Sequence, residues 1–116
     1  MILRPRPEPV PEGSNRFAPG ALVRHKRYGY RGVVAAVDLC CEADDKWYLS
    51  NQTQPPREQP WYHVLVHGGA HATYAAESNL EPELAPAPIV HPLVGALFSG
   101  FDGERYERND TPWPPA

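Results

Sequence analysis

The chain has 116 residues, with 11 basic and 14 acidic side chains and a net charge of -3. This balance argues against a domain that grips nucleic acid over its whole surface by charge alone. Apolar runs of only a few residues leave no stretch long enough for a membrane-spanning helix, and two adjacent cysteines, Cys40 and Cys41, cannot build a disulfide framework.

Residues 1–16 predict a disordered, proline-rich leader, with Pro5, Pro7, Pro9 and Pro11 denying the chain amide donors. The leader has no apolar core of the signal-peptide kind. Together with the unpaired cysteines, this predicts a reducing, cytoplasmic setting. Charge is unevenly spread. From Arg16 to Arg31 there are five basic residues and no acid, whereas from Asp38 onward twelve acids face four bases.

The fold begins at Phe17. Pro19-Gly20 predicts a turn and Ala21-Leu22-Val23 the start of a strand. Arg27-Tyr28-Gly29-Tyr30 predicts a hairpin connection, with Gly29 free to take positive φ. Tyr30 to Asp38 predicts the second strand, bent at Gly32 and apolar enough for burial on both faces. Leu39 to Pro60 is acidic, then polar, with one helical turn or short strand around Trp47; so long a loop is often functional or mobile. Trp61 to His67 is the clearest strand. Its period of two puts Tyr62, Val64 and Val66 on the expected core face and Trp61, His63, Leu65 and His67 on the other. Gly68-Gly69 turns the chain so that His71 to Ala75 can return antiparallel, and Leu80 re-enters the core after a tight turn. Residues 82–90 form a proline-alanine linker. His91 to Phe98 predicts a short helix with Pro92 at its first position, followed by a turn at Phe101-Asp102-Gly103.

Four or five short strands with glycine turns predict an all-β fold, a small SH3-like antiparallel barrel over residues 17–81. So small a domain buries only about 60% of its unfolded surface. Support is therefore expected from the extension at 82–116, docked on the barrel or on a partner, or from self-association as a homo-oligomer.

Three ordered segments carry a resemblance: Phe17 to Asp38, Gln59 to Val66 and Thr73 to Glu81. They resemble the YccV-like family, also called HspQ or hemimethylated-DNA-binding domain proteins. The resemblance implies an SH3-like barrel that often self-associates, and two roles. One is binding DNA hemimethylated at adenine. The other is a heat-shock, stress-response adaptor role, adjusting substrate choice by the ATP-dependent protease Lon.

The residues expected to touch DNA or a partner are Arg24, His25, Lys26, Arg27, Tyr28, Tyr30 and Arg31 of the hairpin, with Trp61 and His63 of the third strand. Arginine and lysine suit phosphate; tyrosine either stacks on bases or caps the core. Asn51, Gln52, Gln54 and Gln59 are the loop amides able to grip an adenine edge. Trp61 either anchors a protein partner or completes the core. The five histidines lack the paired spacing of zinc ligands, so no metal or other cofactor is expected. Cys40 or Cys41 with His25 or His63 is the only nucleophile–base pair that can be assembled, and a non-enzymatic binding module is the expectation.

Overall fold

The computed structural model describes residues 15–115. The leader expected over residues 1–16 lies outside them except for its last two positions. The first hairpin joins β1 (Leu22–His25) to β2 (Arg31–Asp38), with Leu22 opposite Val33 and Arg24 opposite Arg31. Gly29 turns it with φ of 76°. After β2 come α1 (Asp45–Leu49), β3 (Trp61–Val66) and β4 (Ala72–Ala76). A single 3-10 turn (Glu77–Asn79) then leads into β5 (Leu80–Pro82). The chain is all-β in class, as expected.

These five strands form one antiparallel sheet in the order β4-β3-β2-β1-β5. The two edge strands are consecutive in the chain. From Ala76 to Leu80 the backbone spans at most about 14 Å. A flat sheet would place its outer strands about 19 Å apart. The sheet must therefore curl until its edges approach. Leu80 then enters the same core as β1 to β4, with Val23, Val34, Tyr62, Val64, Ala75 and Phe17. A bulge in β2 between Val34 and Ala36 helps the strand to bend.

The other face of the sheet is covered as well. Residues after the linker form α2 (Val94–Leu97), β6 (Phe98–Phe101) and β7 (Tyr106–Arg108), the last two paired as a small hairpin. Leu97, Phe98, Tyr106 and Ile89 pack on Leu22, Val33, Ala35 and Leu65. Leu65 was expected on the less buried face of β3, yet it is fully buried. Alternation alone distinguishes two faces but does not tell how many are covered. The five strands of the sheet agree with the four or five expected for the barrel. Among the described residues the extension adds the short pair β6 and β7, with Gly100 inside β6, which the sequence pattern does not announce. The helix is also shorter than expected, and Pro92 sits in the turn before it.

Gly20 is where the extension meets the sheet. The Tyr106 amide donates to the Gly20 carbonyl at 2.9 Å, and the Gly20 amide donates to Val34 at 2.8 Å. Gly20 has φ of 98°, and a Cβ there would lie 2.1 Å from the Tyr106 carbonyl oxygen. Only glycine permits that crossing.

The extension and the sheet thus share one core, with Leu97 fully buried. Leu97→Ala is expected to destabilise the whole fold by about 2–5 kcal/mol. Urea denaturation followed by both tryptophan fluorescence and circular dichroism checks this. The two probes should shift together; a separate early transition would mean that the extension unfolds alone.

Candidate functional site

The curled sheet does not close at every level, and a cleft of about 350 Å³ remains at its seam. One wall is the open side of β4, from Ala72 to Ala76. Another is the β1–β2 turn, with His25, Tyr28 and Tyr30. A third is the segment after β2, with Trp47, Asn51, Thr53 and Pro55. Trp61 and Asn79 complete the lining.

Each wall is held by identifiable bonds. In the turn, His25 is buried and its Nδ1 accepts from the backbone amides of Arg27 and Tyr28, both at 3.1 Å. The imidazole stacks on Tyr28, with ring centres 4.7 Å apart, and lies 5.1 Å from Tyr30. Burial, and then the nearby Arg27 charge, push its pKa below the ordinary 6.5. Tyr30 crosses the seam to share a 2.6 Å hydrogen bond with Thr73.

The stretch from Leu39 to Pro60, expected as a long functional or mobile loop, holds α1 and a polar segment between α1 and β3. It is tied back on itself. Asp44 caps α1 by accepting from the Trp47 amide. The Tyr48 hydroxyl donates to the carbonyls of Gln54 and Pro55. Arg57 lies over the Tyr48 ring and donates to the Ala43 carbonyl. Gln54 and Gln59 spend their amides on backbone carbonyls of the same segment. Asn51 is the loop amide that lines the cleft. Gln52 accepts a 3.4 Å bond from the Tyr28 hydroxyl, so loop and hairpin touch.

The residues predicted from sequence separate into distinct groups. His25, Tyr28, Tyr30 and Trp61 line the cleft. Lys26 and Arg27 are exposed on the turn that carries Tyr28, and the Arg27 guanidinium lies 5.6 Å from the centre of that ring. Arg24 is engaged elsewhere. It makes a two-pronged ion pair with Glu83, at 2.8 and 3.3 Å, and donates to the Gly29 carbonyl. Hydrogen bonding to Arg24 holds the Glu83 carboxyl below its usual range. Arg31 donates to the carbonyls of Ala87 and Pro88. These two arginines fasten the linker that brings the extension to the sheet.

His63 lies outside the cleft lining, 3.2 Å from Asp38 and against the rings of Tyr74 and Trp113. Trp61 is only 3% exposed, packed among Trp47, Tyr48 and Tyr74. Trp47, Thr53, Thr73, Tyr74 and Asn79 also line the cleft and were not singled out from the sequence. Of these, only Trp47 carried a signal, as an aromatic in a polar stretch. Tyr74 is fixed by donating to Asp38 at 2.6 Å and accepting from the Glu42 amide. Burial and the Asp38 carboxylate raise its pKa, so it stays a neutral donor. Among the described residues, no three His, Cys, Asp or Glu side chains gather as metal ligands would.

Fold and cleft together define a small all-β binding module, with a basic turn beside an aromatic cleft. The family described as "Hemimethylated DNA-binding protein YccV like" matches residues 15–105, and the chain belongs to that family, which is a DNA-binding one. The chain is also 40% identical over 96 residues to F-box only protein 21 of Homo sapiens and of Pongo abelii, and to that of Mus musculus. The match covers 80% of this chain and 15% of theirs, so the chain spans a small part of those relatives.

The His25 bonds make the turn sensitive to pH. Its folded pKa lies below 6.5. Its contribution to stability is therefore complete above that value and is lost as the pH falls through the lowered one. Protonation of Nδ1 replaces an acceptor with a donor facing two amides. Hydrogen exchange at the amides of Arg27 and Tyr28 should speed up below pH 6.5 relative to those of β3, after correction for intrinsic rates. In His25→Gln the acid-dependent acceleration should disappear.

Proposed function

We propose that this protein binds DNA through the β1–β2 turn, with Lys26 and Arg27 on phosphates and the Tyr28 edge of the cleft turned toward the bases. The observation that carries this reading is the division of labour within the basic stretch. Arg24 and Arg31 are held against the linker, whereas Lys26 and Arg27 are exposed beside an aromatic cleft. Phosphate contacts position a protein, and contacts to base edges specify its site. We read the curled sheet, with its 3-10 link from β4 to β5, as an SH3-like barrel serving as a rigid mount for the turn. The family description supports hemimethylated DNA as the target, and we take adenine as the methylated base. With a net charge of -3, affinity should be modest and strongly salt-dependent.

A second reading is a protein adaptor, such as a stress-response factor that delivers substrates to an ATP-dependent protease. The acidic half of the chain and the likeness to a protein named for an F-box favour it. Trp61 is too buried to be its docking edge, so such a partner would meet the exposed Leu49 or the Tyr28 face instead.

Fluorescence anisotropy with unmethylated, hemimethylated and fully methylated duplexes, across a salt series, tests the DNA reading. Tighter binding of the hemimethylated duplex is expected. Lys26→Ala with Arg27→Ala should lower affinity and reduce the salt slope by about two phosphate contacts. Arg24→Ala should instead lower the thermal midpoint and leave the slope nearly unchanged. Equal slopes for the native chain and the Lys26/Arg27 variant would remove the turn from the interface.

A further inference from the structure

Several polar groups in the seam cleft have no task in holding the fold. Among the described residues, the side-chain amide of Asn79 and the hydroxyl of Thr53 have no hydrogen-bond partner. Asn51 uses only its Nδ2, on the Trp47 carbonyl at 2.9 Å, which leaves Oδ1 free. These groups converge with the rings of Tyr28, Trp47, Trp61 and Tyr74 on one cleft of about 350 Å³. Aromatic walls with a few convergent polar groups are the composition of a site for a small flat ligand.

The size and surroundings narrow the ligand class. The cleft holds one heterocycle but no part of a stacked duplex. Every base offers a ring face to an aromatic wall. A primary amide matches the donor–acceptor edge of adenine, giving and accepting one bond each. Lys26 and Arg27 stand on the turn that forms the Tyr28 wall, where the phosphates of a displaced nucleotide would pass. A methyl group on the exocyclic nitrogen of adenine leaves one N–H to donate and adds an apolar group that aromatic walls accommodate.

We infer that the seam cleft receives one purine base extruded from the duplex, held among the rings of Tyr28 and Trp47 and gripped by Asn79 and Asn51. This rests on the DNA-binding reading and deepens it, because methylation would be sensed on a base outside the helix rather than in the major groove. Extrusion costs the pairing and stacking of that base, and the cost is smallest where the base is already mispaired.

The test compares anisotropy titrations of duplexes in which each adenine of a GATC site is in turn paired with thymine or mispaired with cytosine. A mispaired target adenine should bind about tenfold or more tightly than the paired one. Permanganate should oxidise the thymine opposite the paired target only when protein is bound. Asn79→Ala and Asn51→Ala, each checked for native circular dichroism, should abolish most of the mispair gain while retaining weak salt-dependent binding through Lys26 and Arg27. Equal affinity for paired and mispaired duplexes, with no new permanganate reactivity, would overturn the inference and leave DNA binding standing. A mispair gain that survives in both asparagine variants would also overturn it, by placing the base elsewhere. Absence of binding to any duplex at low salt would overturn both readings.

Discussion

A short covalent link governs this structure. Three residues of 3-10 helix connect β4 to β5, which occupy opposite ends of the five-stranded sheet. The link is too short to cross the width of a flat sheet, so the sheet must curl. Curling turns one face inward as a core and brings the two edges near each other. Where they meet imperfectly, β4 keeps an open side, and the hairpin turn and the α1 segment stand across from it. The cleft is thus a consequence of chain connectivity, and aromatic side chains supply much of its lining.

A five-stranded sheet of this size has little interior of its own. The chain offsets this by covering the outer face with its C-terminal extension, which adds a second apolar cluster around Leu65 and Leu97. The two halves are held at Gly20, where β7 crosses too closely for any side chain, and along the linker, where Arg24 and Arg31 bind a carboxylate and two carbonyls. Two of the cations in the basic stretch therefore serve stability. Their neighbours Lys26 and Arg27 lie at the tip of the turn, beyond reach of the linker, and are left for solvent or a ligand.

Polar side chains in the site show the same economy. His25 is surrounded by aromatic rings and gives its one acceptor nitrogen to the turn, so it shapes the site without presenting a charge to it. Tyr74 and Tyr62 each donate to a carboxylate and accept from a backbone amide. They pin β4 and β3 to flanking segments. Against this background, cleft-lining groups without a partner stand out among the described residues: the buried Trp61 Nε1 and the half-buried side-chain amide of Asn79.

Sequence alone determined the class of fold, the strand from Trp61, the β1–β2 hairpin with its glycine turn, and the family resemblance of residues 17–81. These follow from local rules: alternation, β-branched and aromatic enrichment, and turn glycines act over a few residues. The same rules placed Tyr28, Tyr30 and Trp61 among the site candidates. They could not distinguish Arg24 from Arg27, because the difference is made by Glu83, fifty-nine residues away from Arg24. Nor could they show that Leu65 is buried, since its cover arrives from the far end of the chain. Trp47, Asn51, Tyr74 and Asn79 meet only after the sheet has curled, and no spacing in the sequence announces a meeting that depends on the closure of a sheet. Tertiary structure alone decided which charges are free and where the cleft lies, because both depend on contacts between segments that are local neighbours only in space.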